Sequence, residues 1–257
     1  MWIRDCLGKK MWNLDIIIPT RGRREKLERC LDSIGVLVYQ GVNINVIVIA
    51  DGDPETATFA AAHPRVNRVI FNKEKRGSVF SRNLATAAAD DAVLYAVDDM
   101  EFLPGSIEAA VKCMIDNFPD GDGIVGLRLQ NRVIRKKKTG FYAGVAIVGR
   151  RFLLRYPEKC LFYPGFIHFS AQEVTNLGVK LNKIMMCEEA QFIHYSPKKG
   201  GGMDDTHKEG RAFRQRDAGL RKIRREEGLL WGHGKESAES QFTYNLEWMR
   251  PNLRTTK

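Results

Sequence analysis

Four short runs rich in β-branched residues alternate with stretches of helical character, and this alternation limits what the chain can fold into more than any other feature. The runs are LDIIIP (14–19), INVIVIAD (44–51), NRVIF (67–71) and AVLYAV (92–97). Between them, REKLERCLDSI (24–34) carries Leu27, Cys30, Leu31 and Ile34 at the spacing of one helix face. PETATFAAA (54–62) reads as a short helix, and SVFSRNLATAAA (78–89) is Ala-rich and helical. PGSIEAAVKCMIDNF (104–118) places a proline for the first turn of a fourth helix. Strands and helices in such alternation imply βαβ units with right-handed crossovers and a mostly parallel sheet, an α/β fold.

The back half is built differently. GIVGLRLQ, RVIRKKK and FYAGVAIVG predict a strand, a basic turn and another strand across 123–149. A helix is predicted over 170–182, a strand over 183–195 and a long charged helix over 207–227. KKGGGMDD (198–205) reads as a loop, and the last 30 residues as irregular. No repeat or linker splits the chain, so 1–257 reads as one domain. Within it, 1–110, 111–206 and a basic helix and tail over 207–257 are its parts.

Charge is unevenly placed. Residues 1–100 hold 14 Lys/Arg against 13 Asp/Glu, while the remainder holds 27 against 18. A one-sided basic surface suggests an anionic partner: nucleic acid, a membrane face or a phosphorylated acceptor. A solvated basic protein gives the same composition. In the 207–227 helix, Arg211, Arg214, Arg221 and Arg225 fall on one face, while Phe213, Leu220 and Ile223 fall on another. That pattern predicts an apolar docking side and an arginine stripe facing solvent. The five cysteines are scattered and odd in number, which favours a reducing, cytoplasmic compartment. MWIRDCLGKKMW predicts no signal peptide, and no apolar run approaches the ~20 residues of a membrane span.

In parallel α/β sheets, ligands bind beyond the carboxyl ends of the strands. There this chain places Pro19-Thr20-Arg21-Gly22, Asp51-Gly52-Asp53 and Asp98-Asp99. Adjacent carboxylates in an apolar setting repel unless a cation neutralises them. Mg²⁺ or Mn²⁺ bound with a diphosphate would do so. The structural alternative is that both acids cap the helix beginning near Pro104.

The ordered segments DIIIPTRGRREKLERCLDSI, VIVIADGDPE and RGSVFSRNLATAAADDAVLYAVDDMEFLPGS resemble family 2 glycosyltransferases of the GT-A fold over roughly residues 14–110. The resemblance implies a metal-dependent, inverting transfer of a hexosyl or pentosyl group from a nucleotide sugar, a UDP-sugar first among them, with Mn²⁺ or Mg²⁺. It implies that Pro19, Thr20 and Arg21 line the base and ribose pocket and that Asp51 bonds the base or ribose. Arg82 and Asn83 would face the nucleotide, Asp98 the ribose or sugar, and Asp99 the metal. Two positions depart from the pattern: Val97 stands where D-x-D has its first acid, and Ala50 opens the second-strand doublet.

The back-half SAQEVTNLGVKLNKIMMCEEAQFIHY matches the family outline of helix, strand and histidine. It implies Glu173 as base, with Gln172 replacing its usual neighbour, and His194 as a further metal ligand; a helix-dipole acid and a satisfied histidine are the bland readings. His168 is a weaker candidate for acceptor contact. Glycines 200–202, with Lys198 and Lys199, would let a loop close over the diphosphate. PTRGR and the H-Y-S…G-G-M-D-D-T pattern also resemble glycosyltransferases carried by tailed bacteriophages, which brings in hydroxylated DNA as an acceptor and a host cytoplasm as the location. A phosphorylated glycan or lipid is the alternative acceptor. A non-catalytic nucleic-acid-binding protein of the same fold is a competing class. A nucleotidyltransferase ranks lower, because PTRGRREK lacks a G-x-G-T-R loop.

Overall fold

A computed structural model describes residues 12–35, 42–130, 144–168, 171–195 and 205–233. The basic turn at 132–138, the glycine loop at 198–204 and the tail beyond 233 lie outside the described residues.

The front half follows the sequence pattern closely. The strands are β1 (Trp12–Thr20), β2 (Val42–Asp51), β3 (Arg68–Asn72) and β4 (Ala92–Tyr95). They alternate with helices α1 (Arg24–Ser33), α2 (Pro54–Ala62) and α3 (Ser78–Ala88). The order β3-β2-β1-β4 is parallel throughout. Both faces of these strands are covered, so they read as unbroken apolar runs. Ile16, Ile18, Val46, Val48 and Leu94 pack with Leu27, Cys30 and Leu31 of α1 on one side. Ile17, Ile47, Ile49, Val93 and Tyr95 pack with Val79, Leu84 and Ala85 of α3 on the other. The period-2 alternation along β1 separates the two cores.

Strand and helix ends shift by one or two residues, and two of these shifts bear on the site. Pro19 does not close β1, which runs to Thr20; proline removes one donor but keeps an extended φ. Helix α4 (Ser106–Asn117) starts after Pro104, because Gly105 caps it in the left-handed conformation at φ 77°. No side chain caps α4, so Asp98 and Asp99 are not its cap.

The back half extends the same sheet to eight strands in the order β3-β2-β1-β4-β7-β6-β8-β5. Strand β6 (Ile124–Leu129) pairs antiparallel with β7 (Ala146–Val148), which pairs antiparallel with β4. The long β8 (Ile184–His194) runs parallel to β6. Strand β5 (Met100–Phe102) was not legible in the sequence, since three residues carry no period; it pairs antiparallel with the end of β8. Two short helical pieces, α5 (Arg150–Leu153) and a 3₁₀ turn (Pro157–Lys159), lead towards α6 (Ala171–Lys180). The long α7 (Asp205–Glu226) follows β8. Among the described residues, no helix is long and apolar enough to cross a membrane, and Cys30, Cys113, Cys160 and Cys187 are free thiols.

Helix α7 docks only in part by its apolar side: Leu220 packs against the second core, but the fully buried positions are polar or glycine. Ile223 is 52% exposed, while Asp217 and Arg224 are buried. The buried seam is Gly210, Asp217 and Arg224, a strict seven-residue repeat. Seven residues make nearly two helical turns, so the three positions share one face. Asp217 Oδ2 accepts from the backbone N–H groups of Ile167 (3.0 Å) and His168 (2.7 Å). Arg224 meets Glu173.

Candidate active site

The carboxyl ends of β1, β2 and β4 stand side by side, because the three strands are parallel neighbours in register. Gly22 N–H donates to Asp53 Oδ2 at 2.7 Å, tying the end of β1 to the start of α2. Asp53 also caps α2 by accepting from the Thr56 N–H at 3.0 Å.

Asp98 and Asp99 follow β4, and each is 4% exposed. Asp98 Oδ2 accepts from Thr20 Oγ1 at 2.9 Å, and its Oδ1 accepts from Arg23 Nη1 at 2.9 Å. Asp99 Oδ2 lies 3.6 Å from the same Nη1. Its Oδ1 lies 3.1 Å from His194 Nε2. The β5–β8 pairing makes that meeting possible: Met100 sits opposite His194, and the Tyr195 N–H donates to the Asp99 carbonyl at 2.8 Å. Burial and, more weakly, the neighbouring Asp99 push the Asp98 pKa upward, against the pull of Arg23 and Thr20.

Thr20, Asp98, Asp99 and His194 therefore come together as one cluster. Pro19 and Arg21 flank it on β1 and the turn after it. Asn83 does not join them. It is fully buried, and its side chain both donates to the Phe162 carbonyl (2.8 Å) and accepts from the Phe162 N–H (3.0 Å). A side-chain amide closed on a backbone in this way holds that segment, and its full burial keeps it off the open side of the cluster. Arg82 is 7% exposed, and its guanidinium carbon stands 5.7 Å from the Phe162 ring centroid.

Asp51 is also spoken for. Its Oδ1 accepts from the Arg76 N–H (2.9 Å) and Asn72 Nδ2 (3.1 Å), and its Oδ2 from the Gly77 N–H (2.8 Å). It shapes the loop that leads into α3 instead of presenting a bare carboxylate. Gly77 has φ 91° and ψ 166°, a region open almost only to glycine. A Cβ there would also come within 2.8 Å of Ile167 Cγ2. Gly77→Ala is expected to cost about 1–3 kcal/mol and to lower the thermal midpoint in a melt followed by circular dichroism. An unchanged midpoint would mean that this loop adapts freely.

Glu173 takes its partners from α7 and the segment after it. It is 6% exposed. Arg224 Nε donates to its Oε1 (2.7 Å), while Arg224 Nη2 and the Trp231 N–H donate to its Oε2 (2.9 and 3.0 Å). Arg224 in turn stacks at 3.5 Å from the Tyr163 ring centroid, and Trp231 Nε1 donates to the Cys160 carbonyl at 2.7 Å. A general base needs an oxygen aimed at the reacting proton, and both oxygens of Glu173 are directed into this buried pair. His168 lies between these regions. Burial and the guanidinium groups of Arg214, Arg82 and Arg23 push its pKa down, although its surface stays more than a third open and water screens part of that push.

Of the arginine stripe expected on α7, Arg225 is exposed, while Arg214 and Arg221 are half-buried and Arg214 Nε donates to the Gly210 carbonyl at 3.2 Å. Beside it, Lys208 pairs with Asp205, Lys222 with Glu226 and Arg216 with Asp217. Arg216 and Lys222 are nevertheless 53% and 67% exposed at their side chains. Sequence reasoning missed Arg23 and Arg224. Arg23 had a signal, since it opens the helix that begins at the β1 end, one helical turn from the site.

Asp99 and His194 are the pair suited to a metal ion. Donors 3.1 Å apart match adjacent corners of an octahedron with ligand distances of about 2.1 Å. Carboxylate oxygen and imidazole nitrogen together suit Mn²⁺. Among the described residues, no group of three His, Cys, Asp or Glu side chains closes on one point, so a bound ion would need oxygens from its ligand or from water.

Residues 15–157 match the model of Glycosyl transferase family 2. No curated protein matches the sequence. The fold is similar to that of a mannosyltransferase from Pyrobaculum calidifontis in complex with GDP-Man and Mn²⁺, at 18% identity and a TM-score of 0.57 over 73% of this chain and 58% of that one. It is also similar to S. aureus TarS 1–349 in complex with UDP-GlcNAc, at 16% identity and a TM-score of 0.55 over 70% of this chain and 58% of that one. The chain thus spans less than two thirds of either structure, and at these identities the likeness is one of fold.

Proposed function

The chain belongs to glycosyl transferase family 2, and from that premise we propose that it transfers a sugar from a nucleotide-sugar donor to a hydroxyl of an anionic acceptor, with inversion at the sugar carbon. The observation that carries this reading is the buried Asp98–Asp99 doublet at the strand ends, flanked by Thr20, Arg23 and His194. Solved structures of the same fold hold GDP-Man with Mn²⁺ and UDP-GlcNAc. They support a nucleoside diphosphate sugar as the donor class, with a UDP-sugar the first to test.

Asp99 and His194 would hold a Mn²⁺ or Mg²⁺ ion. When bound, that ion offsets the negative charge that builds on the departing diphosphate. Thr20 and Arg23 fix the rotamer of Asp98, which borders the ribose side of the pocket lined by Pro19 and Arg21. Asp51 serves the donor indirectly, by holding the 76–77 backbone in place. The cation of Arg82 adds to the positive field on the α3 side. Glu173 enters as an anchor for α7 and not as the base, because Arg224 and Trp231 take its oxygens.

The basic outer side of α7 supports a polyanionic acceptor. DNA carrying hydroxymethylated bases is the acceptor we favour, in line with the phage-like motifs of the sequence. A phosphorylated glycan or lipid would use the same charge. Incubation with Mn²⁺ and a panel of nucleotide sugars, followed by assay of released nucleoside diphosphate, is expected to show release that rises with hydroxymethylated DNA. The stimulation should fall steeply between 50 and about 200 mM salt. Release without DNA stimulation would move the acceptor to glycans or lipids. No release from any donor, together with salt-sensitive DNA binding, would replace the enzyme by a binding protein.

A further inference from the structure

The cation that faces both acids of the doublet belongs to the protein. Arg23 Nη1 stands 2.9 Å from Asp98 Oδ1 and 3.6 Å from Asp99 Oδ2. All three side chains are nearly sealed from water, at 9%, 5% and 5% exposure. Arg23 is fixed there by the backbone, since it is the N-cap residue of α1 and its carbonyl accepts the Leu27 N–H at 2.9 Å. In a D-x-D arrangement the first acid would add a further negative charge, but this chain has Val97 there, packed against the core. Two carboxylates and one guanidinium leave a net charge of −1 at the site. Asp98 has both oxygens engaged, by Thr20 and Arg23.

We propose that Arg23 is the resident counter-ion of the doublet, a positioning residue that withholds Asp98 from the metal. Among the described residues, an ion would then meet Asp99 and His194, and it would bind well only when a diphosphate supplies further oxygens. A hard divalent ion prefers about six ligands, and two protein donors beside a fixed positive charge make a weak site. This inference deepens the metal-dependent reading above, but its test needs no sugar transfer.

The probe is Mn²⁺ itself, titrated into the protein without nucleotide, with free ion read from its electron paramagnetic resonance signal. Wild-type protein is expected to bind weakly, and uridine diphosphate should tighten binding at least about tenfold. Arg23→Met frees Asp98 and removes the opposing charge, so nucleotide-free affinity should rise about tenfold or more. A loss of mere structural support would not tighten metal binding. Equal or weaker binding by folded Arg23→Met protein would overturn the proposal. Should that variant fail to fold, Arg23→Met combined with Asp98→Asn removes both charges and leaves no unpaired buried ion. The double variant should bind Mn²⁺ within about twofold of wild type, because the local net charge is unchanged. A drop of about tenfold would make Asp98 a metal ligand and overturn the proposal.

Discussion

Asp99→Asn is expected to lower donor turnover by about a thousandfold, the equivalent of roughly 4 kcal/mol of transition-state stabilisation. The amide keeps the shape of the side chain but gives up the charge that would hold the ion beside His194. Stability should hardly move, because the change relieves repulsion from Asp98 as it loosens the 3.6 Å contact with Arg23. The thermal midpoint is expected within a few degrees of wild type. Nucleoside diphosphate release at saturating Mn²⁺, measured beside a melt, separates the two effects. A fall of less than about tenfold in a stable variant would remove Asp99 from the metal role.

The second large effect is on stability. Arg224→Met leaves Glu173 as a buried charge with the Trp231 N–H as its one remaining partner among the described residues. Breaking one partner of such a pair costs about 3–5 kcal/mol. At about 2–4 °C per kcal/mol for a chain of this size, the midpoint should drop by roughly 10 °C. Adding Glu173→Gln removes the stranded charge, and most of the loss should return. Because Glu173 is read as an anchor, the double variant should also keep its turnover within about tenfold. A double variant that melts like wild type but turns over a thousandfold more slowly would restore Glu173 as the base.

The reach of the sequence can be judged from these same residues. Strands β1 to β4 and their helices were legible because their signals are local: apolar runs, helical spacing and turn residues. The Asp98–Asp99 doublet and His194 were legible because they lie at strand ends. The resemblance put Asp99 and His194 at one metal, but no local pattern carried their contact, since it depends on β5, whose three residues have no periodic signal. The partners of Asp51 and Glu173 were hidden for another reason. Arg76 and Gly77 meet Asp51 through backbone N–H groups, which no side-chain pattern records. Arg224 lies 51 residues from Glu173. The docking face of α7 was legible only in part: the amphipathic pattern found Leu220, which packs on the core, but not the polar residues buried beside it. Here a glycine, an aspartate and an arginine form the seam, and Ile223 faces water.

That seam works as a key. Apolar contacts tolerate sliding, but an aspartate seated on two N–H groups and an arginine gripping a carboxylate fit at one setting only. A shift of one residue along α7 would rotate both by about 100° and strand two buried charges. Position is thereby uncoupled from the composition of the outer side. Lys222 and Arg225, exposed and outside the seam, can be exchanged without moving the helix, so this surface is free to drift towards new acceptors while the strand ends stay as they are.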